Sequence, residues 1–554
     1  MSVSRRGVMR SALALGMVSA SSGIRADGTT QIFRHGVASG EPEADSVLLW
    51  TRLTDASEAS GHWHVATDPR MRQIVAQGAF TARADQDFTA KVVVSGLQPG
   101  RDYWYRFRAA GQISPTGRTR TLPTGHIDEL NIVSACCAMY LIGYFQAYRE
   151  IARLDKLDAV LFLGDYIYEY GASHYEKLST LRVPDPPHNT VTLEDYRRRI
   201  AQSRAEPDLQ AAHARAPWIC IWDDHEIADD DWMHGAEGHN SVTDGDWELR
   251  KAAAVRAWYE WMPVHDPAPS DPYGIARSHS FGDLATLIVP EDRLKARRHR
   301  LRLQTDMDMF DTPEGRTPDI AGFRRKLADP AREMIGKDQV AWAGREMRKS
   351  KAAGQPWVLF GSGTVMAYYD YPDLRRWAPA SGPLAKFYDA TSFEVPVLNL
   401  DSWSGYLAER EQLFAEIRRA GVRTVVLSGD SHMAWVNRLH DRHGPVALEV
   451  SSTTLTGPAL GDVLGLGDTP FHQLVVDRNR DVQWCDPAAI GFIALKVTRE
   501  AVDARFIAIA DPRSPASKAG VTKQVVSARQ IDGSDNWVHV SPEDIDILRA
   551  PTSG

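Results

Sequence analysis

Four cysteines in 554 residues are too few to staple a chain of this length. A disulfide framework needs more of them at suggestive spacings, so the fold must rest on its hydrophobic cores. Cys136 and Cys137 are adjacent and poorly placed for a mutual disulfide, which points to a thiol with other work. Cys220 lies inside an apolar run and Cys485 beside Trp484, and both read as small core residues. Long apolar runs are missing too. None reaches the ~20 residues that cross a bilayer, so no transmembrane anchor is expected in the mature chain. Positive charge is short: the formal net charge is −8, and residues 1–26 hold four arginines and no acid, so the remainder is more acidic still. Nonspecific binding to nucleic acid or to an anionic membrane needs a basic footprint and is excluded, although a small electropositive cleft is not. There is no internal repeat and no low-complexity tract.

What is present begins with an address. Ser4-Arg5-Arg6-Gly7-Val8-Met9-Arg10 precedes the short apolar run Ala12–Val18 and then small residues, the pattern of a cleavable twin-arginine signal over residues 1–26. It implies passage through the twin-arginine export machinery to the periplasm or beyond. The cleavage site falls between Ala20 and Asp27.

Residues 27–125 read as an all-β sandwich. Ser46–Arg52, His62–Ala66, Thr89–Val94 and Tyr103–Arg108 are rich in valine, threonine and aromatics and are separated by Gly, Pro and Asp. Leu97-Gln98-Pro99-Gly100 followed by Tyr103 is similar to the turn and tyrosine corner of fibronectin-type sandwiches. Residues 126–554 change pattern. Apolar runs at Asn131–Ala135, Asp158–Leu163, Trp218–Trp222, Trp357–Phe360 and Thr424–Leu427 suit strands buried on both faces. Helical spacing at Tyr144–Leu154, Trp247–Trp261, Gln339–Lys351 and Leu407–Ala420 alternates with them, which predicts a layered α/β domain. The tail Ser541–Arg549 reads as a short capped helix.

The informative residues are those just past the strands. The first run is followed by Cys136-Cys137, the second by Gly164-Asp165-Tyr166-Ile167-Tyr168, the third by Asp223-Asp224-His225-Glu226 and the last by Ser428-Gly429-Asp430-Ser431-His432. Sites in open α/β sheets form outside the carboxyl ends of strands. Carboxylates gathered there repel one another unless cations neutralise them, and carboxylates bridge paired catalytic ions. A phenolate and a thiolate favour a hard iron, while oxygen-rich neighbours suit Ca²⁺, Mg²⁺ or Mn²⁺.

These motifs resemble the PhoD-like alkaline phosphatase family, which is similar in its core to the purple acid phosphatases. Phe33–Gly40, Gly143-Tyr144-Phe145 with Ala147-Tyr148-Arg149, Leu163–Tyr170, Trp222–Glu226, Asn399–Gly405 and Leu427–Trp435 match in order over nearly the whole mature chain. The resemblance implies a metallophosphoesterase sandwich, with mixed β-sheets flanked by helices behind an N-terminal fibronectin-like domain. It also implies Fe³⁺ held by cysteine, tyrosine and histidine beside Ca²⁺ held by carboxylates. The implied ligands are Cys137, Asp165, Tyr168, Asp224, Asp430 and His432, with Asp165 bridging. Asp230 is a further oxygen donor where the family usually carries an amide nearby. His225 would stand near the leaving oxygen as a general acid. The expected substrate is a small-molecule or lipid phosphate ester.

Departures from the family pattern are Asp229 beside Asp230, Ala138-Met139 after the cysteines, Ser404 and Met433. Asp229 adds negative charge that would change the second cation or repel phosphate; the others suggest a less polar pocket for a bulkier ester, and so a phosphodiesterase or phospholipase D-like activity as the alternative. A noncatalytic extracytoplasmic binding protein is the remaining rival. Asp223 and Glu226 read as supporting residues rather than ligands, His234 and His239 as exposed loop residues ahead of substrate contacts, and the basic run Arg293–Arg302 as solvated surface ahead of a run that faces phosphate.

Overall fold

The computed structural model describes residues 32–55, 59–174, 181–313, 315–370, 372–374, 376–377, 399–515, 521–531 and 533–541. The twin-arginine segment and the tail beyond Ser541 lie outside the described residues. Two large mixed sheets dominate residues 32–554, which form one compact unit.

The first sheet has ten strands, in the order Ser534–His539, Val521–Ile531, Val502–Ala508, Gly491–Val497, Leu130–Ala135, Ala159–Phe162, Trp218–Cys220, Val37–Gly40, Ser46–Arg52 and Thr89–Ser95. Its centre is parallel: Phe162 stands in register with both Ala135 and Cys220, so three strands end level with one another. The second sheet has seven strands, in the order Arg277–Phe281, Ala285–Val289, Trp357–Thr364, Arg423–Gly429, Gly444–Ser451, Ala434–Asp441 and Val482–Asp486. Its parallel core runs from Ala285–Val289 to Gly444–Ser451.

Why the central strands are apolar throughout follows from the period-two geometry of a strand. Trp357 and Leu359 join the core between the sheets, whereas Val358 and Phe360 join a second core beneath the helices. Val425 and Leu427 likewise face the first core and Val426 the second. Helices Lys337–Ala352 and Leu407–Ala420 supply Val340, Ala343, Met347, Leu413, Phe414 and Ile417 to that second core. Helix Trp247–Trp261, with bounds as its spacing predicts, starts where the Asp246 carboxylate accepts the Leu249 N–H at 3.0 Å.

The N-terminal strands divide between two sheets. Ile74–Thr81, Ser60–Ala66, Asp102–Ala109, Gln112–Ile113 and Gly117–Arg120 form a five-stranded sheet of their own. The Tyr103 hydroxyl accepts the Gln98 N–H at 2.8 Å, which makes the tyrosine corner. Val37–Gly40, Ser46–Arg52 and Thr89–Ser95 instead extend the ten-stranded sheet, because Gly40 pairs in parallel with Trp218. Only glycine fits there: a Cβ would lie 2.0 Å from the Pro263 carbonyl oxygen. Among the described residues no helix is long and apolar enough to cross a membrane.

Candidate metal centre

The level ends of the parallel strands decide where the site forms. Leu130–Ala135 delivers Cys136-Cys137, Ala159–Phe162 delivers Asp165, Trp218–Cys220 delivers Asp223-Asp224, and Arg423–Gly429 of the second sheet delivers Asp430. Backbone hydrogen bonds stitch these ends together. Cys137 N–H donates to the Gly164 carbonyl at 3.1 Å, Ala138 N–H to that of Asp165 at 2.8 Å, and Leu455 N–H to that of Cys137 at 3.0 Å.

The turns are tight enough to force unusual backbone. Cys137 (φ 60°), Asp165 (58°), Asp230 (51°), Asp430 (67°) and His432 (52°) all lie in the left-handed region. Each such residue other than glycine stores on the order of 1–3 kcal/mol, and such strain gathers at functional sites. Five of the seven residues expected to bind metal carry it. Gly164, at φ 99°, lets the Asp165 turn press on the next strand end, where a Cβ would stand 2.4 Å from the Asp223 amide nitrogen.

Four overlapping groups of donors result, with the atoms of each within 4.8 Å of one another: Cys137, Asp165 and His432; Asp165, Asp224 and His225; Asp165, Asp223, Asp224 and Asp430; and Asp224, Asp229 and Asp230. Tyr168 joins the first, its hydroxyl 3.0 Å from Asp165 Oδ2 and 2.9 Å from His432 Nε2. His432 Nδ1 lies 2.8 Å from the Pro458 carbonyl, which can only accept, so Nδ1 carries the proton and Nε2 turns its lone pair to the cluster. Burial lowers the His432 pKa to about 4, which keeps the ring neutral. Asp165 and Asp430 are pushed well above the usual carboxylate range, by burial first and then by Asp224 and Asp223. Asp223 Oδ2 and Asp224 Oδ1 are buried without a hydrogen bond. Mixed sulfur, phenol, imidazole and carboxylate donors with orphaned oxygens suit cations of more than one kind.

The profile of the PhoD-like phosphatase family matches residues 132–506, and that of its N-terminal domain matches residues 18–123. The chain belongs to the PhoD-like phosphatase family. It is 34% identical over 426 residues to alkaline phosphatase D of Bacillus subtilis (strain 168), an alignment that takes in 74% of this chain and 66% of that protein's length. A solved structure of PhoD superposes with a TM-score of 0.76 at 28% identity, covering 93% of each chain. The layered fold of mixed sheets is therefore that of the PhoD-like phosphatases.

Beneath the donors lies a buried polar floor that sequence reasoning missed. Arg293 and Arg297 are fully buried, not solvated as the basic run suggests. The Arg293 guanidinium donates to Asp223 and, at 2.6 Å, to Asp401 Oδ2, and lies 3.6 Å from Asp224 Oδ1. Arg297 donates to Asp401 Oδ1 at 2.8 Å. Arg300 pairs with Asp230 at 2.7 Å and with Glu237 at 2.6 Å. Although burial opposes its charge, Asp224 is held below the usual range by Arg293 and His225. Glu226 is a support, as expected: it accepts the N–H groups of Asp165, Tyr166 and Asp223. His225, whose ring centroid is 4.2 Å from that of Tyr168, is bonded at Nδ1 to Glu169.

The departures from the family pattern do not make a less polar pocket. Ala138 and Met139 belong to the core between the sheets, and Met433 to the core under the helices. Ser404 is fully buried. Of the departures only Asp229 faces outward, its side chain 39% exposed. Arg293→Met should cost about 3–5 kcal/mol, because it leaves Asp223 buried without its cation and Asp401 with Arg297 alone. Urea denaturation measures this, and an unchanged midpoint would remove Arg293 from the scaffold.

Proposed function

We propose that the protein is an exported, metal-dependent phosphoesterase that hydrolyses phosphate esters in the periplasm or outside the cell. One observation carries this reading: the thiol of Cys137, the phenol of Tyr168, the imidazole of His432 and the carboxylate of Asp165 converge where three strands end. Family membership and the likeness to alkaline phosphatase D supply the reaction class. The twin-arginine motif supplies the route of export.

In this reading Cys137, Asp165, Tyr168 and His432 would hold Fe³⁺, and Asp165, Asp224, Asp230 and Asp430 would hold Ca²⁺ or similar divalent ions, with Asp223 Oδ2 as a further oxygen. Such ions supply positive charge to the phosphoryl oxygens and acidify water. The chain's own residues do the rest. Arg293 favours the ionised form of Asp224 and with Arg297 holds Asp223 and Asp401 in place, and the neutral His432 presents Nε2 because Pro458 fixes the other nitrogen. His225 stands beside Asp165 and Asp224, within reach of a leaving oxygen, to which it gives a proton.

The test is direct. Purified protein with its metals measured should release 4-nitrophenol from the monoester or from the bis-4-nitrophenyl diester, and the ratio of the rates assigns phosphatase or phosphodiesterase. A metal-loaded, folded protein that cleaves neither would overturn the proposal. A second expectation concerns iron. The protein should show a broad visible band from phenolate-to-iron charge transfer, and Tyr168→Phe should abolish it. A band that persists in the variant would rule out Tyr168 as the ligand.

A further inference from the structure

Glu169 follows Tyr168 in the chain, and its carboxylate is 1% exposed. A charge buried that deeply is costly unless paired and hydrogen-bonded, and both of its oxygens are engaged. Oε2 lies 2.8 Å from His225 Nδ1, and Oε1 accepts the backbone N–H of Asp229 at 2.8 Å. The loop that carries it is clamped from behind. Arg199, 1% exposed, donates to the carbonyls of Tyr168 and Tyr170, and Thr190 N–H donates to the carbonyl of Glu169 at 2.9 Å. Gly238 leaves room for the arrangement: a Cβ there would lie 2.8 Å from the Asp229 nitrogen and 3.1 Å from Glu169 Oε1.

The imidazole of His225 is thus fixed on several sides. A carboxylate only accepts, so Nδ1 carries a proton. One ring face lies against Tyr168 at 4.2 Å, and the Tyr170 ring meets it near-perpendicular at 5.1 Å. Nε2 lies on the other side of the ring from Glu169, 3.9 Å from the half-exposed Asp229 carboxylate.

We propose that Glu169 is a positioning residue for proton delivery. It orients the His225 ring so that Nε2 faces the departing oxygen, and its second oxygen ties the Asp229-Asp230 turn to the same carboxylate. The inference rests on the phosphoesterase reading above. In the step it serves, the oxygen of water bonds to phosphorus and the bond from phosphorus to the alcohol oxygen breaks. The Nε2 proton passes to that oxygen, and the proton released by the attacking water restores Nε2. Glu169 keeps its hydrogen bond to Nδ1 throughout and takes no proton.

Glu169→Gln tests this because it is nearly isosteric. Its amide oxygen can still accept the Asp229 N–H, which turns the NH₂ group toward Nδ1. Two donors cannot share that contact, so the ring loses the hydrogen bond that aims Nε2 and delivers its proton poorly. The loss should therefore grow with the basicity of the leaving alcohol. We expect about a 100-fold fall in kcat on an alkyl phosphate and less than about 10-fold on 4-nitrophenyl phosphate, within the range of general-acid effects. KM and metal content should be unchanged. In a His225→Ala background, adding Glu169→Gln should cost nothing further. The ratio of the two esters is taken on one preparation, so partial loss of folded protein cancels. Equal losses on both esters, or an additive loss in the His225→Ala background, would mean that Glu169 merely supports the loop and would overturn the inference. If metal-loaded wild type cleaves neither ester, the phosphoesterase reading fails first and this inference falls with it.

Discussion

Asp165→Asn should lower kcat/KM for a chromogenic phosphate ester on the order of 10³-fold or more, about 4 kcal/mol of transition-state stabilisation. Asp165 and Asp224 each belong to three of the four donor groups, but only Asp165 joins Cys137 and His432 on one side to Asp224 and Asp430 on the other. Its Oδ2 meets the Tyr168 hydroxyl, and its Oδ1 lies 3.4 Å from the His225 amide. An asparagine keeps the size and tolerates φ 58° as readily as aspartate does. The variant should therefore fold, and only the second anionic oxygen is lost. Its stability should hold or rise, because a buried negative charge leaves a crowded cluster. Circular dichroism and a melting curve check the fold, elemental analysis the ions, and steady-state kinetics the rate. A folded Asp165→Asn protein with ordinary turnover would be incompatible with a bridging carboxylate at this position.

The same prediction shows what the sequence makes legible. Asp165, Asp224, Asp430 and the cysteines could be found because each follows an apolar run, and buried parallel strands end where sites form. Helices Trp247–Trp261 and Leu407–Ala420 coincide with their apolar spacing because each buries one face. Other features left no local trace. Gly40 meets Trp218 across nearly two hundred residues, so nothing near either predicts that N-terminal strands continue the ten-stranded sheet. Arg293 and Arg297 look like solvated surface until Asp401, more than a hundred residues on, is known to lie against them. Met433 and Ser404 look like pocket residues because they lie within motifs in the chain, yet Met433 packs into the core under the helices and Ser404 is fully buried. Glu169 is hidden for the converse reason: it stands among five residues that already have an explanation, and its partners His225 and Asp229 come from another loop.

Removing the metals should reverse the ordinary pH dependence of stability on the acid side of neutrality. Burial pushes the pKa of Glu226 to about 8 and, with Asp224 and Asp292 adding to it against Arg293, that of Asp223 to about 7. Asp165, Asp230 and Asp430 are raised as well, by burial first. A carboxylic acid whose pKa is higher folded than unfolded binds its proton more tightly in the folded state. Its contribution is fully present below the unfolded value, ~4, and is lost as pH rises through the folded value. The chelated protein should therefore gain stability as pH falls from 8 to 5, by several kcal/mol through linkage and on the order of 5 °C in thermal midpoint. Bound cations keep the carboxylates ionised without repulsion, so the metal-loaded protein should melt higher at pH 8 and show a nearly flat profile over the same window. Carboxylates of the opposite kind set the lower limit. Asp441, whose salt bridge with Arg418 holds its pKa at about 2, gives up stability only as pH falls below the unfolded value. Scanning calorimetry at pH 8, 6.5 and 5, with and without chelator, measures both curves. If the chelated protein melts lower at pH 5 than at pH 8, or if chelation moves neither curve, the buried acids at the strand ends are neutralised by the protein itself and the case for cations among them is lost.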